Sequence, residues 1–236
     1  MADHTSKEFD AAIARARDLA ELLVARVERQ LDDALEALRS GSAILVDQIL
    51  RHETEVNSLE RAIDQFAGQV IALRHPAARD LRLLVALLGA TTDLERVGDE
   101  AKKIALSARS ILPAGRAVLA RVTELHAMAV AARGMLGEAC AALTGLDPHS
   151  AGDLVRRDLA VNESFRAVLA RLAALMVEDP RTISVCLDIL FIAKSLERIG
   201  DHAKNLAEHV VYAVIGIDVR HASADEIEEL VGSVTT

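Results

Sequence analysis

Tryptophan is missing from this chain, tyrosine occurs once and phenylalanine four times, so aromatic residues make up only 2% of 236 positions. Any core must therefore be aliphatic, and the ring platforms that hold single-stranded bases are lacking. Proline (4) and glycine (12) are scarce too, which points to few, long elements. The two cysteines, Cys140 and Cys186, sit in apolar contexts and form no CxxC. They read as small buried hydrophobes rather than as a disulfide or a nucleophile. There is no long hydrophobic run: the most apolar stretch, VVYAVIGI ending at Ile217, is far short of the roughly 18–20 residues that span a bilayer. The polar start, MADHTSKEFD, offers no apolar segment of the kind a signal peptide needs. The expectation is a soluble, cytoplasmic protein. Excess positive charge is absent as well, and a net charge of −9 argues against nucleic acid as a partner.

What is present is 51% hydrophobic residues, rich in alanine and leucine, with arginine and glutamate, all strong helix formers. The chain reads as all-α. Apolar residues from Phe9 to Leu38 recur at three-four spacing, predicting a first helix over 6–39. Gly41 and Ser42 stop it and cap the next. Ile49, Val56, Ile63 and Val70 follow a seven-residue repeat on a second helix that ends before Pro76. A third helix runs to about LPAG. The pattern restarts with a fourth helix over 114–143. A fifth covers 152–177, with Ser150 and Asp153 spaced as a capping box, and a sixth follows Pro180.

The second half repeats the first. LERVGDEAKKIA (94–105) and LERIGDHAKNLA (196–207) match at eight of twelve positions with a shift of 102. One helix upstream, Glu53 and Asn57 of ETEVN correspond to Asp158 and Asn162 of DLAVN with a shift of 105. These repeats predict two tandem, pseudo-symmetric three-helix bundles, six long antiparallel helices in all. The domain limits they suggest are 1–112, 113–217 and a C-terminal tail over 218–236.

Glu95 with Asp99, and Glu197 with Asp201, lie one helical turn apart on one side, where like charges repel. Something positive must sit between them. One reading is counter-charge from the helix itself: Arg96, Lys102 and Lys103, or Arg198 and Lys204. The other is a metal ion, because two carboxylates offer up to four oxygens in one patch, the ligand type hard cations such as Mg, Mn or Ca prefer. Glu53, Asn57, Asp158 and Asn162 would add oxygen from the neighbouring helix, and Glu60 and Asp64 extend the acidic row in the first half only. Gly98 and Gly200, each costing about 1 kcal/mol mid-helix, fit close packing or a close ligand. His202 is the one histidine placed to act as an extra ligand. No Glu-x-x-His, HExxH, GxxxxGK[ST] or GxSxG occurs, and nothing suggests an activated nucleophile; an enzyme is not expected.

LERIGDHAKNLAEHVVY, LERVGDEAKKIA, HPAARDLR and ETEVNSLE resemble the signatures of the PhoU family in matching order, from about Phe9 to Gly216. The resemblance implies multinuclear iron or zinc clusters on Glu95 and Asp99 and on Glu197 and Asp201, with Glu53 and Asp158 as supplementary ligands. It also implies a negative regulator of the phosphate-starvation response, an adaptor between the phosphate ABC-transporter ATPase and a sensor histidine kinase in peripheral contact with membrane complexes. A homodimer is left open. NESF (162–165) lacks the acid that Glu60 supplies, so the second cluster is expected to hold fewer ions. The competing readings are a carboxylate-rich protein for metal storage or metal-dependent hydrolysis, and a purely structural scaffold.

Overall fold

The structure, a computed structural model, describes residues 2–111 and 115–234, with side chains from residue 11 onward and up to residue 233. The first half is α1 (Ala2–Ser40), α2 (Ala43–Arg74) and α3 (Ala78–Ile111). The second is a short α4 (Arg116–Leu119), then α5 (Thr123–Gly145), α6 (Ala151–Glu178) and α7 (Ile183–Ile215); α8 (Ala224–Val234) closes the chain. Among the described residues there is no strand, and no helix is long and apolar enough to cross a membrane. The fold is all-α, two tandem three-helix bundles.

The periodicity explains the packing. Ile49, Val56, Ile63 and Val70 of α2 are all buried, and so are Leu154, Val161, Val168 and Leu175 of α6, the same heptad moved by 105 residues. Each stripe seats its helix against the central helix of its own half, α3 or α7. Those two lie antiparallel along the middle of the molecule and share the most extensive helix–helix contact, whereas α1 and α5 meet only locally. Aliphatic burial is continuous across this seam, with Leu94, Val97, Leu196 and Ile199 in one core. Both cysteines lie within it, and burial pushes the Cys140 thiol up to about 12, where it is inert.

Helix ends follow the punctuation with two corrections. Gly41 is left-handed (φ 77°) and the Ser42 side chain accepts a hydrogen bond from the Leu45 amide. Ser150, by contrast, makes no cap bond. Its hydroxyl is buried without a partner, because a 3-10 turn over Pro148–Ser150, capped by Asp147, leads straight into α6. The fourth helix is not continuous over 114–143: α4 stops at Leu119, α5 starts at Thr123, and residue 114 lies outside the described residues, as do Leu112 and Pro113 of LPAG. The tail carries α8, whose Ile227 and Val231 are buried and whose Asp225 and Glu228 bind Arg156 of α6.

Candidate functional site

The two repeated motifs place their acids against the second helix of their own half. In the first half, burial and the neighbouring charges of Asp99, Glu60 and Glu53 push the Glu95 carboxyl above its usual range. Burial, with Asp64 and Asp99, does the same to Glu60. Glu53, Glu60, Glu95 and Asp99 thus form one self-repelling group spanning α2 and α3, and Asp64 joins at its exposed edge. In the second half, burial together with Asp158 and Glu197 raises Asp201. In both halves the paired acids of the motif feel each other's charge and that of acids on the second helix.

The helix also supplies counter-charge. Lys102 reaches Glu53, and its repeat counterpart Lys204 stands 3.5 Å from Asp158. Lys194 bonds Glu197. Among the described residues, Glu95, Asp99 and Asp201 have no ion pair, and no three His, Cys, Asp or Glu side chains converge as a ready metal cage. One atom marks where neutralisation is incomplete. Asp158, 4% exposed, has its Oδ2 facing Lys204 and the Asn162 amide at 3.4 Å, while its Oδ1 is buried with no hydrogen-bond partner. A buried carboxylate oxygen without a donor is costly, and a cation would satisfy it. The donors in each group are oxygens, the ligand type hard cations take, and lysines occupy Glu53, Glu197 and Asp158. Asn162 joins the second cluster through its bond to Asp158, and the half-buried Asn57 of α2 makes no side-chain hydrogen bond among the described residues.

Gly98 and Gly200 face the second helix of their own half. A Cβ on Gly98 would meet Val56 at 3.4 Å, and one on Gly200 would meet Val161 at 3.5 Å and the orphan Asp158 Oδ1 at 3.6 Å. Those are ordinary contacts, so neither glycine is demanded by packing alone. In the first half only, Gln30 of α1 donates to the Gly98 carbonyl (3.0 Å), bracing the motif from behind.

Between the clusters lies a polar seam that the paired motifs alone do not reveal. Asp93 of α3, 7% exposed, accepts from His202 Nδ1 (2.8 Å), Asn205 (3.1 Å) and His209 Nε2 (3.0 Å), all on α7. Burial opposes ionisation there, but these three bonds more than offset it and hold the carboxyl far below its usual range. Farther along, Glu100 of α3 is likewise buried, yet Lys103, Ser195 and Arg198 lower it; Lys103 and Arg198 each bond it at 2.9 Å. His202 thus spends its Nδ1 on Asp93, which orients the ring and leaves Nε2 unused by that bond. The signal was present in the sequence. The positions at which the repeats disagree, Asp93 against Ser195, Glu100 against His202 and Lys103 against Asn205, are chemically complementary, and an antiparallel seam sets them opposite one another.

The family model described as PhoU domain matches this chain twice, over residues 21–108 and 125–210. A phosphate-specific transport system accessory protein PhoU homolog from Burkholderia is 41% identical over 96% of this chain and 97% of its own length. The phosphate-specific transport system accessory protein PhoU of Escherichia coli is 33% identical over 96% and 93%. The crystal structure of PhoU from Pseudomonas aeruginosa superposes with a TM-score of 0.81 at 34% identity, over 89% of this chain and all of that one. PhoU from Streptococcus pneumoniae shares the fold at 0.79, with 24% identity over 89% and 99%.

Proposed function

The chain belongs to the PhoU family, and from that membership we propose that it is an accessory regulator of phosphate uptake. It works on the cytoplasmic side as a non-enzymatic adaptor between the phosphate transporter's ATPase and a sensor histidine kinase, and it keeps the phosphate-starvation response off when phosphate is plentiful. The observation that carries the reading is full-length, two-domain similarity to transport-system accessory proteins. Co-purification of the untagged protein with the transporter ATPase and the kinase tests it. Recovery of both at high phosphate is expected, and recovery of neither at any phosphate level overturns it.

Metal binding by the two acidic clusters is the second part of the proposal, supported by the mutual repulsion of the acids and by the orphan oxygen of Asp158. Glu95 and Asp99 with Glu53 and Glu60, and Glu197 and Asp201 with Asp158, would hold the ion. A bound cation would supply positive charge that locks the second helix of each half to the central one. The protein's own residues already bring the carboxylates together at the cost of repulsion, and Lys102 and Lys204 hold the ion-free arrangement by bridging the same helices. Glu197→Gln with Asp201→Asn keeps side-chain shape and removes the charge. Metal analysis of that variant should show a lower metal-to-protein ratio with helicity intact; an undiminished ratio removes the site.

A further inference from the structure

Asp93 and Glu100 each form a polar clasp between α3 and α7, and the two clasps are one arrangement used twice. Asp93 and Ser195 stand 102 residues apart, and so do Glu100 and His202. That is the shift between the two motifs. Asp93 facing His202 and Glu100 facing Ser195 are therefore the same pair of positions, exchanged between the helices. Asp93 accepts from His202 at 2.8 Å, and Glu100 accepts from Ser195. The seam is thus built about a pseudo-two-fold axis that interchanges α3 and α7. Both acids are buried, and further donors from α7 fix them: Asn205 (3.1 Å) and His209 (3.0 Å) on Asp93, Arg198 (2.9 Å) on Glu100.

Four of these residues adjoin a carboxylate of an acidic cluster. Asp93 stands two positions before Glu95, Glu100 follows Asp99, Arg198 follows Glu197, and His202 follows Asp201. At 3.6 residues per turn, one step moves about 100° round a helix and two steps about 200°. Clusters and clasps thus use different faces of the same turns. On one face, α3 offers Glu95 and Asp99 to the acids of α2, and α7 offers Asp201 to Asp158 of α6. On another, those turns are bonded to each other across the seam. A turn gripped on two faces cannot shift on one without straining the bonds on the other. The aliphatic contacts of the seam are non-directional and set no such register; the hydrogen bonds do.

We propose that the clasps couple the two acidic clusters, so that a cation bound in one half raises the affinity of the other. The coupling rests on the metal reading above and adds how the halves influence each other. A cation removes the repulsion between a motif and the second helix of its half, which resets the central helix against that neighbour. The sign follows from the axis. When α3 slides toward its own N-terminus relative to α7, α7 slides toward its own N-terminus relative to α3, because the two run antiparallel. The movement that suits one motif therefore suits the other, and the coupling is positive and reciprocal.

Mn²⁺ is the probe, titrated into the metal-free full chain. Two half-site variants, Glu95→Gln with Asp99→Asn and Glu197→Gln with Asp201→Asn, give the association constant of each cluster alone. The coupling is the overall constant of the unaltered chain divided by the product of those two, and a ratio of about fivefold or more is expected. Formed again in the background of Arg198→Gln with His202→Gln, which takes an α7 partner from each clasp, the ratio should fall to about one. Hydrogen exchange gives a readout independent of affinity. In the Glu197→Gln with Asp201→Asn variant, Mn²⁺ at the first cluster should slow amide exchange over 197–205, and should not once the clasps are cut. The Arg198 side chain is half-exposed, so Arg198→Gln alone serves if the double variant does not fold, and should lower the ratio at least twofold. Independent sites in the unaltered chain overturn the coupling and leave the metal reading standing. An undiminished ratio in folded clasp variants overturns it as well. If Mn²⁺ binds neither cluster, both fall.

Discussion

Asp158 Oδ1 is a buried acceptor with nothing to accept from, and Gly200 is the residue that leaves room beside it. Alanine at position 200 would fit, since its Cβ would make ordinary contacts at 3.5 Å and 3.6 Å. Replacing a mid-helix glycine contributes about 1 kcal/mol of helix stability. The added methyl would nevertheless stand against the oxygen that a cation must reach. Gly200→Ala should therefore melt a few degrees higher in the metal-free state and bind less metal at the second cluster; equal metal content with higher stability would mean that the glycine serves no ligand. The acids themselves predict a pH effect. Glu95 and Asp201 have folded-state values above the ordinary carboxyl range, so the native state takes up protons before the unfolded chain does. Metal-free protein should gain stability as pH falls from neutrality through those raised values, and lose it again as pH rises. Thermal melts of chelator-treated protein across that window, compared with Glu95→Gln plus Asp201→Asn, check the sign: the variant should show the flatter profile.

Among the elements, α3 and α7 carry the most information and were the least completely legible. Their boundaries, their place in the repeat and their paired acids followed from three-four spacing and from the shift of 102 residues. Their mutual seam did not, because periodicity reports which face of a helix is buried and not which helix covers it. Charged residues such as Asp93 and Glu100 read as solvated until the opposing helix is in place. The same gap explains Ser150, whose spacing to Asp153 suggested a cap that a 3-10 turn displaces, and α8, whose short pattern gave no hint of the Arg156 contacts that hold it. The Asp93 clasp is open to a direct test. Asp93→Ala leaves two histidines and an asparagine without their acceptor and should cost about 2–4 kcal/mol, read as a lower urea midpoint at neutral pH. Since the folded-state value of Asp93 lies below the unfolded one, the clasp's contribution is complete above the ordinary carboxyl range and is lost only as pH falls below it. The difference between Asp93→Ala and the unaltered chain should thus be constant at neutral pH and shrink in strong acid. Gly89→Ala probes the clasp from the other side, because its Cβ would lie 2.4 Å from the His209 ring and force that ring out of its bond.

For the molecule as a whole, the question is whether two copies of one bundle behave as two domains or one. The doubled sequence and the repeat boundaries invite the first answer. The packing favours the second: the largest contact runs between α3 and α7, across the boundary, and its apolar residues belong to the same core cluster as those within each half. Two polar clasps, Asp93 with three donors from α7 and Glu100 with Ser195 and Arg198 from α7, add interactions that exist only when the halves are docked. Separating the halves would expose the apolar surface that α3 and α7 share and strand two buried carboxylates, a combination costing more than the marginal stability of a three-helix bundle of this size. Unfolding should therefore be a single calorimetric transition with a calorimetric-to-van't Hoff enthalpy ratio near one. Replacing Asp93 and Glu100 together by alanine removes both clasps and leaves the aliphatic seam, and that variant should broaden toward two overlapping transitions. Two resolved transitions in the unaltered chain would show that the seam is a weak interface between independent domains.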